Sequence, residues 1–589
     1  MSETGRNEAS KNGRRGNPIE EQRWRLYTLM AIVLACILIL VAKLFYLQVV
    51  QHEHFLSMAR EEHWRETTVP AKRGTIWDSK GHRLATNVTY ESLYAVPSQI
   101  DDPGKTARSL SAVLNEPAEK IASLLSSHQN SPVLIKGLLD SQQAQEIRNL
   151  HLGNVYLEPQ FKRAYPEGSI ASQLIGLVGR DNVGLSGLES EYDEDLAGKP
   201  GSIFAERDTG GDEIALGSRQ SRPPVDGLDV VLTIDRYVQH VVERELDAAI
   251  RAHNADGGTI IVLEPTTGAV LALANRPTFD LNDPDLFQPS RVPLYRNPAI
   301  SDVWEPGSVF KIVTMAAGLD TNTVTPDFAF DNKGYFTYGG GTVRNVTTRI
   351  GPETMTQVLQ RSSNIGAAFV STSVGAEKFY QYVKSFGFGQ PTGIDLPGES
   401  PGILRTPTQG PWYPFDLATN SFGQGISVTP IQMITAVAAV ANGGLLMKPY
   451  VVSQVIDKQG KVRRYDPTII RQVISPNTAS ALAEMLVAVV EQAEDGQPKQ
   501  AKVPGYLVAG KTGTAEIPVA GGYKETDTVA SFVGFAPAER PRFVVLVKIN
   551  SPKDTPWGEQ AAAPVFRQVA QQLLLYYRIP PSGTQSARR

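Results

Sequence analysis

The hydrophobic pattern divides the chain into unlike stretches. Leu26 to Ala42 reads LYTLMAIVLACILILVA, uncharged throughout, and the apolar run resumes after Lys43 as LFYLQVV. Together they are long enough to span a bilayer, with Lys43 able to snorkel towards an interface. Residues 1–22 are polar and read as a tail without fixed structure. Residues 55–222 mix short strand and helix patterns with loops, and SRQSRPPVDG (218–227) reads as a linker. From GLDVVLTID (227–235) the pattern becomes regular. YVQHVVERELDAAIRAH has helical periodicity. GGTIIVLEPTTGAVLALA reads as a hairpin around a Pro-Thr-Thr-Gly turn. Near the end, YLVAGKTGTAE, VASFVGFAP and RFVVLVKIN read as three strands and APVFRQVAQQLLLYYRI as a closing helix. The expected layout is a tail (1–22), a transmembrane helix (23–48), a mixed α/β unit (55–222), an α/β domain whose sheet joins both its ends (227–578) and a loose tail (579–589).

Composition narrows the classes. At 589 residues two or three domains are expected, and 41% hydrophobic with 20% charged residues is globular. A net charge of −4 gives no reason to expect nucleic acid. Cys36 is the sole cysteine, so an intrachain disulfide, a Cys-based metal site and thiol catalysis are all unsupported, and no metal or other cofactor is expected. Arg6, Lys11, Arg14, Arg15, Arg23 and Arg25 precede the apolar run and place the N-terminus in the cytoplasm, with everything after about residue 50 outside. The run is too long for a cleaved signal peptide, and no small-residue cleavage site follows it. Val33-Leu34-Ala35-Cys36 loosely resembles a lipoprotein box, but ILILVA follows where a polar mature start is needed.

Three short motifs carry the candidate chemistry. In EPGSVFKIVTM (305–315), Ser308 and Lys311 lie three apart, where an apolar helix starts after Pro-Gly. A helix start favours an anionic oxygen, and this spacing puts both side chains on one face. Alone, the pattern fits a capping serine and a surface lysine better than a reactive pair. All eight histidines lie upstream of Ser308, so the usual base of a reactive serine is missing and Lys311 is the best candidate for that role. Burial and repulsion from Lys511 would lower its pKa. The alternative is a charged Lys311 that orients Ser308 while Ser362 passes the proton. Ser362-Ser363-Asn364 is one of three S-x-N strings; Ser10-Lys11-Asn12 lies in the tail and Ser475-Pro476-Asn477 reads as a helix cap. GYLVAGKT (505–512) fits a phosphate-loop pattern. However, YLVA reads as strand and GTAEIPVAGG is poor helix material, so a nucleotide site is rejected. Lys511, Thr512, Gly513 and Thr514 instead read as a strand whose two threonines share a face. Gly513 is expected to leave the strand open to an extended ligand.

The ordered set S-x-x-K, S-x-N, K-T-G resembles the penicillin-binding and serine β-lactamase superfamily. AKRGTIWDSKGHRLATN (71–87), FKRAYPEGSIASQLIGLVG (161–179) and GLSGLESEYDEDLAGKPG (184–201) resemble the non-catalytic pedestal of class B penicillin-binding proteins. FGQGISVTPIQM (422–433) and VASFVGFAPAERPRFVVLVKIN look most like the division-specific, FtsI-type branch, with the elongation-specific branch next. Val309-Phe310 departs from the more usual Thr-Val or Thr-Phe. The resemblance implies a penicillin-binding transpeptidase fold and a membrane-anchored D,D-transpeptidase. Ser308 would attack the penultimate D-Ala carbonyl, and an amine on a neighbouring stem peptide would take the acyl group. The oxyanion would sit against the N–H groups of Ser308 and Thr514. Lys511, Thr512 and Thr514 would hold the substrate carboxylate, while Ser362 and Asn364 would relay protons and orient the peptide. Implied partners are stem peptides, β-lactams, the bilayer, a glycosyltransferase and other division proteins. A β-lactamase would not need the pedestal, a penicillin sensor would carry more membrane segments, and a silent scaffold would not keep all three motifs.

Overall fold

In the computed structural model the described residues are 18–55, 64–126, 132–179, 181–206, 219–347, 349–492, 499–519 and 522–582. Five strands form the main sheet of the C-terminal domain: β1 (Gly257–Leu263), β2 (Val270–Arg276), β3 (Ala509–Val519), β4 (Gly522–Ala536) and β5 (Phe543–Asn550). Their order is β2-β1-β5-β4-β3, all antiparallel, so both ends of the domain meet in one sheet as expected, and β3 is an edge strand. Six helices matter below: α1 (Pro18–Phe45), α2 (Arg236–His253), α3 (Lys311–Asp320), α4 (Asn364–Val374), α5 (Pro430–Ala441) and α6 (Ala563–Tyr576).

Alternation within the strands explains the layering. In β5, Val545, Val547 and Ile549 pack in one core with Val238, Val242 and Leu246 of α2 and Phe566 and Leu573 of α6. Val544 and Leu546 face a second core with Ile312 and Met315 of α3 and Ile431 and Ile434 of α5. Both faces of the strand are covered, hence its unbroken apolar run. Helices α3 and α5 are buried nearly all round, as their sequences require.

The second core continues into the root of the pedestal through Ile76, Leu84, Leu174 and Leu188. A separate small core holds the pedestal head, where Leu93 and Ala95 of strand Arg83–Ala95 lie under helices Pro103–Leu114, Ala118–Leu125 and Ser141–Asn149. The root sheet takes Asp229–Leu232, Val452–Ile456 and Val462–Arg464 from beyond residue 227, so hydrogen bonding does not stop at the expected domain border.

Several local expectations need correction. Arg219–Arg222 is a strand paired with Gly201–Glu206, so part of the expected linker extends a sheet. Helix α1 starts at Pro18, inside the expected tail, while residues 1–17 lie outside the described set. Tyr506–Val508 is not strand: Gly505 turns the chain at φ +81, and Tyr506 and Leu507 hydrogen-bond Ile579 and Ser582. Those bonds also pin the start of the expected loose tail; residues 583–589 lie outside the described set. The apolar stretch Arg23–Val50 is long enough to cross a membrane, and among the described residues nothing buries it.

Candidate active site

Three segments converge at the outer end of α3. Ser308 lies in a 3-10 turn, Gly307–Phe310, that runs into α3 at Lys311, so the α-helix proper starts one turn later than expected. The turn is pressed against β3 and against the FGQG loop. A methyl group on Gly307 would come within 2.6 Å of the Thr514 carbonyl oxygen, and one on Gly423 within 2.3 Å of the Gly307 carbonyl oxygen. Gly307 also takes φ +56, which suits glycine.

Lys311 Nζ lies 3.0 Å from Ser308 Oγ, 2.5 Å from the Ser362 carbonyl oxygen, 3.2 Å from Ser362 Oγ and 2.7 Å from Asn364 Oδ1. Two of these neighbours, the carbonyl and the amide oxygen, can only accept. A neutral amine donates its two N–H bonds to them and keeps its lone pair for the serine hydroxyl. Lys311 is 1% exposed and none of these neighbours is a carboxylate. Burial, and then the charge of Lys511, hold its pKa well below the usual lysine range, with Glu353 opposing them.

Ser362 makes this geometry possible through a left-handed backbone, φ +56, which costs a non-glycine residue on the order of 1 kcal/mol. Its hydroxyl stands between the two lysines, 3.2 Å from Lys311 Nζ and 3.1 Å from Lys511 Nζ. Ser363 instead caps α4, donating nothing to the cleft. Asn345 clamps the turn: its Nδ2 donates to Ser363 Oγ at 3.1 Å and its Oδ1 accepts from Ile365 N at 3.0 Å. No sequence pattern singles out Asn345, which belongs to an irregular segment.

Lys511, also 1% exposed, donates to the Thr512 carbonyl at 3.1 Å, and burial pushes its pKa to about 7, with Lys499 adding and Glu559 opposing. Thr512 and Thr514 line the same cleft, as alternation on β3 requires. Gly513 has a different role from the one expected. Its missing side chain would point inward, 2.4 Å from Ser531 Oγ and 3.0 Å from Val309. It lets the Ser308 turn pack on the strand, and the cleft side is untouched. Beyond Thr512, β3 continues to Val519 with no helix, the opposite of a phosphate loop.

The cleft measures about 700 Å³. Besides Ser308, Ser362, Asn364, Thr512 and Thr514 it is lined by residues the sequence did not single out, among them Arg349, Glu353, Glu516, Trp557 and Glu559. A half-buried serine against a buried lysine, a second buried lysine and paired hydroxyls at a sheet edge suit acyl transfer to and from an anionic peptide.

Comparison with known proteins agrees. The family described as penicillin binding protein transpeptidase domain matches residues 258–571, and that described as penicillin-binding protein dimerisation domain matches 68–232. Stage V sporulation protein D of Bacillus subtilis is 37% identical over 96% of this chain and 88% of its own length. Peptidoglycan D,D-transpeptidase FtsI of Escherichia coli is 28% identical over 95% of this chain and 93% of its own. Penicillin binding protein 3 of Mycobacterium tuberculosis, solved with aztreonam, is 30% identical with a TM-score of 0.69, covering 88% of this chain and 98% of that one.

Proposed function

The chain belongs to the class B penicillin-binding proteins, peptidoglycan D,D-transpeptidases of the serine acyl-enzyme type, and on that premise we propose which residues act and where. Ser308 Oγ attacks the penultimate D-Ala carbonyl while Lys311 takes its proton. The C–N bond to the terminal D-Ala breaks, and the proton passes to the leaving amine through Lys311 and Ser362. An amine of a second stem peptide then attacks the ester, returns a proton to Ser308 and completes the cross-link. Lys511, Thr512 and Thr514 hold the terminal carboxylate, and Asn364 orients the peptide. A β-lactam enters by the same route and stays attached.

The observation that carries this reading is the 3.0 Å contact of a buried Lys311 with Ser308, inside a ring of acceptors that fits a neutral amine. The test is fluorescent-penicillin labelling with mass mapping of the labelled peptide. Label on Ser308, lost in Ser308→Ala while the fold persists, is expected; label retained on another serine overturns the assignment.

The cellular role follows the FtsI-like stretches at 422–433 and 529–550, which support septal wall synthesis together with a glycosyltransferase and other division membrane proteins. The relative at 37% identity carries a sporulation name, which favours a developmental wall-building role as the second reading. Depletion separates them: filamentation during growth supports the first, and a defect confined to sporulation the second. The apolar Arg23–Val50 and the basic residues before it support an anchor with the N-terminus inside and the catalytic domain outside. A reporter active only outside the cytoplasm, fused after Arg578, is expected to be active; a silent fusion at normal expression rejects this topology.

A further inference from the structure

The exposed edge of β3 does not end at its threonines. Thr512, Thr514 and Glu516 alternate onto one face and all line the cleft, while Gly513 and Ala515 between them are buried. Glu516 is exposed, and its side chain makes no hydrogen bond or ion pair with any residue whose side chain is described. Beside it, Thr528 faces Glu516 across the strand pair and donates to the Pro556 carbonyl at 3.1 Å, while Gly558 N donates to Thr514 Oγ1 at 3.2 Å. These bonds hold residues 556–558 over the same strip of sheet, where the Trp557 ring is 43% exposed.

The following step rests on the transpeptidase reading above. A donor peptide with its carboxylate at Lys511 and Thr512, and its reacting carbonyl beside Ser308 and Thr514, lies antiparallel to an edge strand. Everything N-terminal to the reacting bond then runs past Ala515 and Glu516. Ala515 faces the protein interior, so a long side chain from this part of the donor finds room on the Glu516 side. A free carboxylate in a cleft that a half-exposed indole also lines suits an alkylammonium: the carboxylate can pair with the nitrogen and the ring can cover the methylenes. The donor carries such a group. Cross-linking needs an amine-bearing residue in the acceptor stem, and donor and acceptor are repeats of one polymer. A stem already used as an acceptor has lost that charge to an amide.

We propose that Glu516 is a specificity-determining residue that favours donor stems whose residue before the D-Ala pair still bears a free ammonium, over stems already cross-linked or acylated there.

Benzylpenicillin, ampicillin and carbenicillin test this, because they share one acyl side chain that differs only by a hydrogen, an ammonium or a carboxylate at the same carbon. That side chain occupies the place of the donor residue before the D-Ala pair. Second-order acylation constants are measured on the full-length protein in detergent, for wild type, Glu516→Gln and Glu516→Lys. Each is divided by the benzylpenicillin value of the same variant, which cancels general effects on folding and reactivity. The expected result is a fall in the ampicillin-to-carbenicillin ratio of about tenfold in Glu516→Gln, the sum of one partly exposed ion pair lost and one like-charge contact relieved. A further fall is expected in Glu516→Lys. A ratio unchanged across the three proteins overturns the proposal. Failure of wild type to be acylated by any of the three compounds overturns the transpeptidase reading beneath it.

Discussion

Among the described residues, the buried charges of the pedestal root and those of the cleft are built on opposite plans. In the pedestal root, Arg73 bonds Glu189 at 2.6 Å and Asp193 at 2.7 Å, and Arg163 bonds the other oxygen of Glu189 at 2.6 Å. Two cations meet two carboxylates, and three guanidinium nitrogens also reach the carbonyls of Gly74, Asn182 and Glu189. In the cleft, Lys311 and Lys511 are as deeply buried but share only hydroxyls, an amide and carbonyls. Compensated charge stays charged and fixes the geometry of the segments that carry it. Uncompensated charge lowers lysine pKa values until one of them can act as a base near neutral pH. The same burial therefore stabilises structure in one place and supplies chemistry in the other, and the presence of a carboxylate partner decides which.

The largest effect expected from breaking the contrast is on the cleft side. Replacing Lys311 with Met removes the base and leaves the volume filled. Acylation should fall by about 10²–10⁴-fold, the range of general-base contributions. Thermal stability should hold or rise, because a polar amine whose burial no carboxylate compensates has left the core. Lys311→Arg, which keeps the charge but cannot deprotonate, should be equally inactive. Near-normal acylation by the arginine variant would show that Lys311 only orients Ser308.

On the pedestal side the same kind of change should do the reverse. Arg73→Met leaves Glu189 and Asp193 with Arg163 alone, and breaking a buried pair of this kind costs about 3–5 kcal/mol. Denaturant unfolding of the solubilised protein should show that loss, while the acylation rate per folded molecule stays near wild type. A rate defect with unchanged stability would mean that the pedestal root acts on the cleft.

Next in size is the pH dependence set by Lys511. Its folded pKa of about 7 lies below the unfolded value of about 10.4. Between the two, the unfolded chain binds more protons, so stability rises with pH across that window and the full penalty applies below about 7. Activity takes the opposite sign, because a carboxylate ligand needs Lys511 charged. The second-order acylation constant should decline above about pH 7 for a carboxylate-bearing β-lactam, and this limb should be missing for its ester. An identical alkaline limb for acid and ester would assign it to another group.

How much of this was legible in the sequence depends on how local each feature is. The sheet, with its hairpin at one end and strands at the other, followed from runs of alternating or continuous apolar residues. Ser308, Lys311, Ser362, Asn364 and the β3 threonines were found because their spacing is fixed by single elements. The pedestal blocks 71–87, 161–179 and 184–201 were noticed separately. Arg73, Arg163 and Glu189 show that they meet in one ionic cluster, and no spacing along the chain conveys that. Gly513 is legible as part of the strand, but its purpose is not, because only packing reveals which face the missing side chain would occupy. Asn345, Glu516 and Trp557 come from loop or strand-end positions whose neighbours are distant in sequence. The strand in the expected linker is a pairing effect, since nothing in SRQSRPP favours a strand until Gly201–Glu206 lies beside it.

The smallest effect expected tests whether an unpartnered buried lysine is by itself a mark of function. Lys548, in β5, is a third such residue: it is 6% exposed, its Nζ donates to Asn550 Oδ1 at 2.6 Å, and it lies 5.7 Å from the centre of the Trp304 ring. Burial lowers its pKa to about 8, with Asp302 opposing. It shares the cleft lysines' depressed pKa, but its amine makes no hydrogen bond to Ser531, the residue opposite it on the neighbouring strand, and it does not line the cleft. If chemistry requires the whole arrangement of lysine, nucleophile and acceptor ring, Lys548→Met should acylate within about threefold of wild type, under 1 kcal/mol in barrier. Its stability should change by no more than about 1 kcal/mol, because the methionine keeps the volume and the cation lost had no carboxylate to compensate it. The slope of stability against pH should also flatten between about 8 and 10, where Lys548 otherwise differs between folded and unfolded chains. A loss of acylation as large as that of Lys311→Met would show that the amine under Trp304 belongs to the reaction, and that the division between the two buried clusters has to be drawn elsewhere.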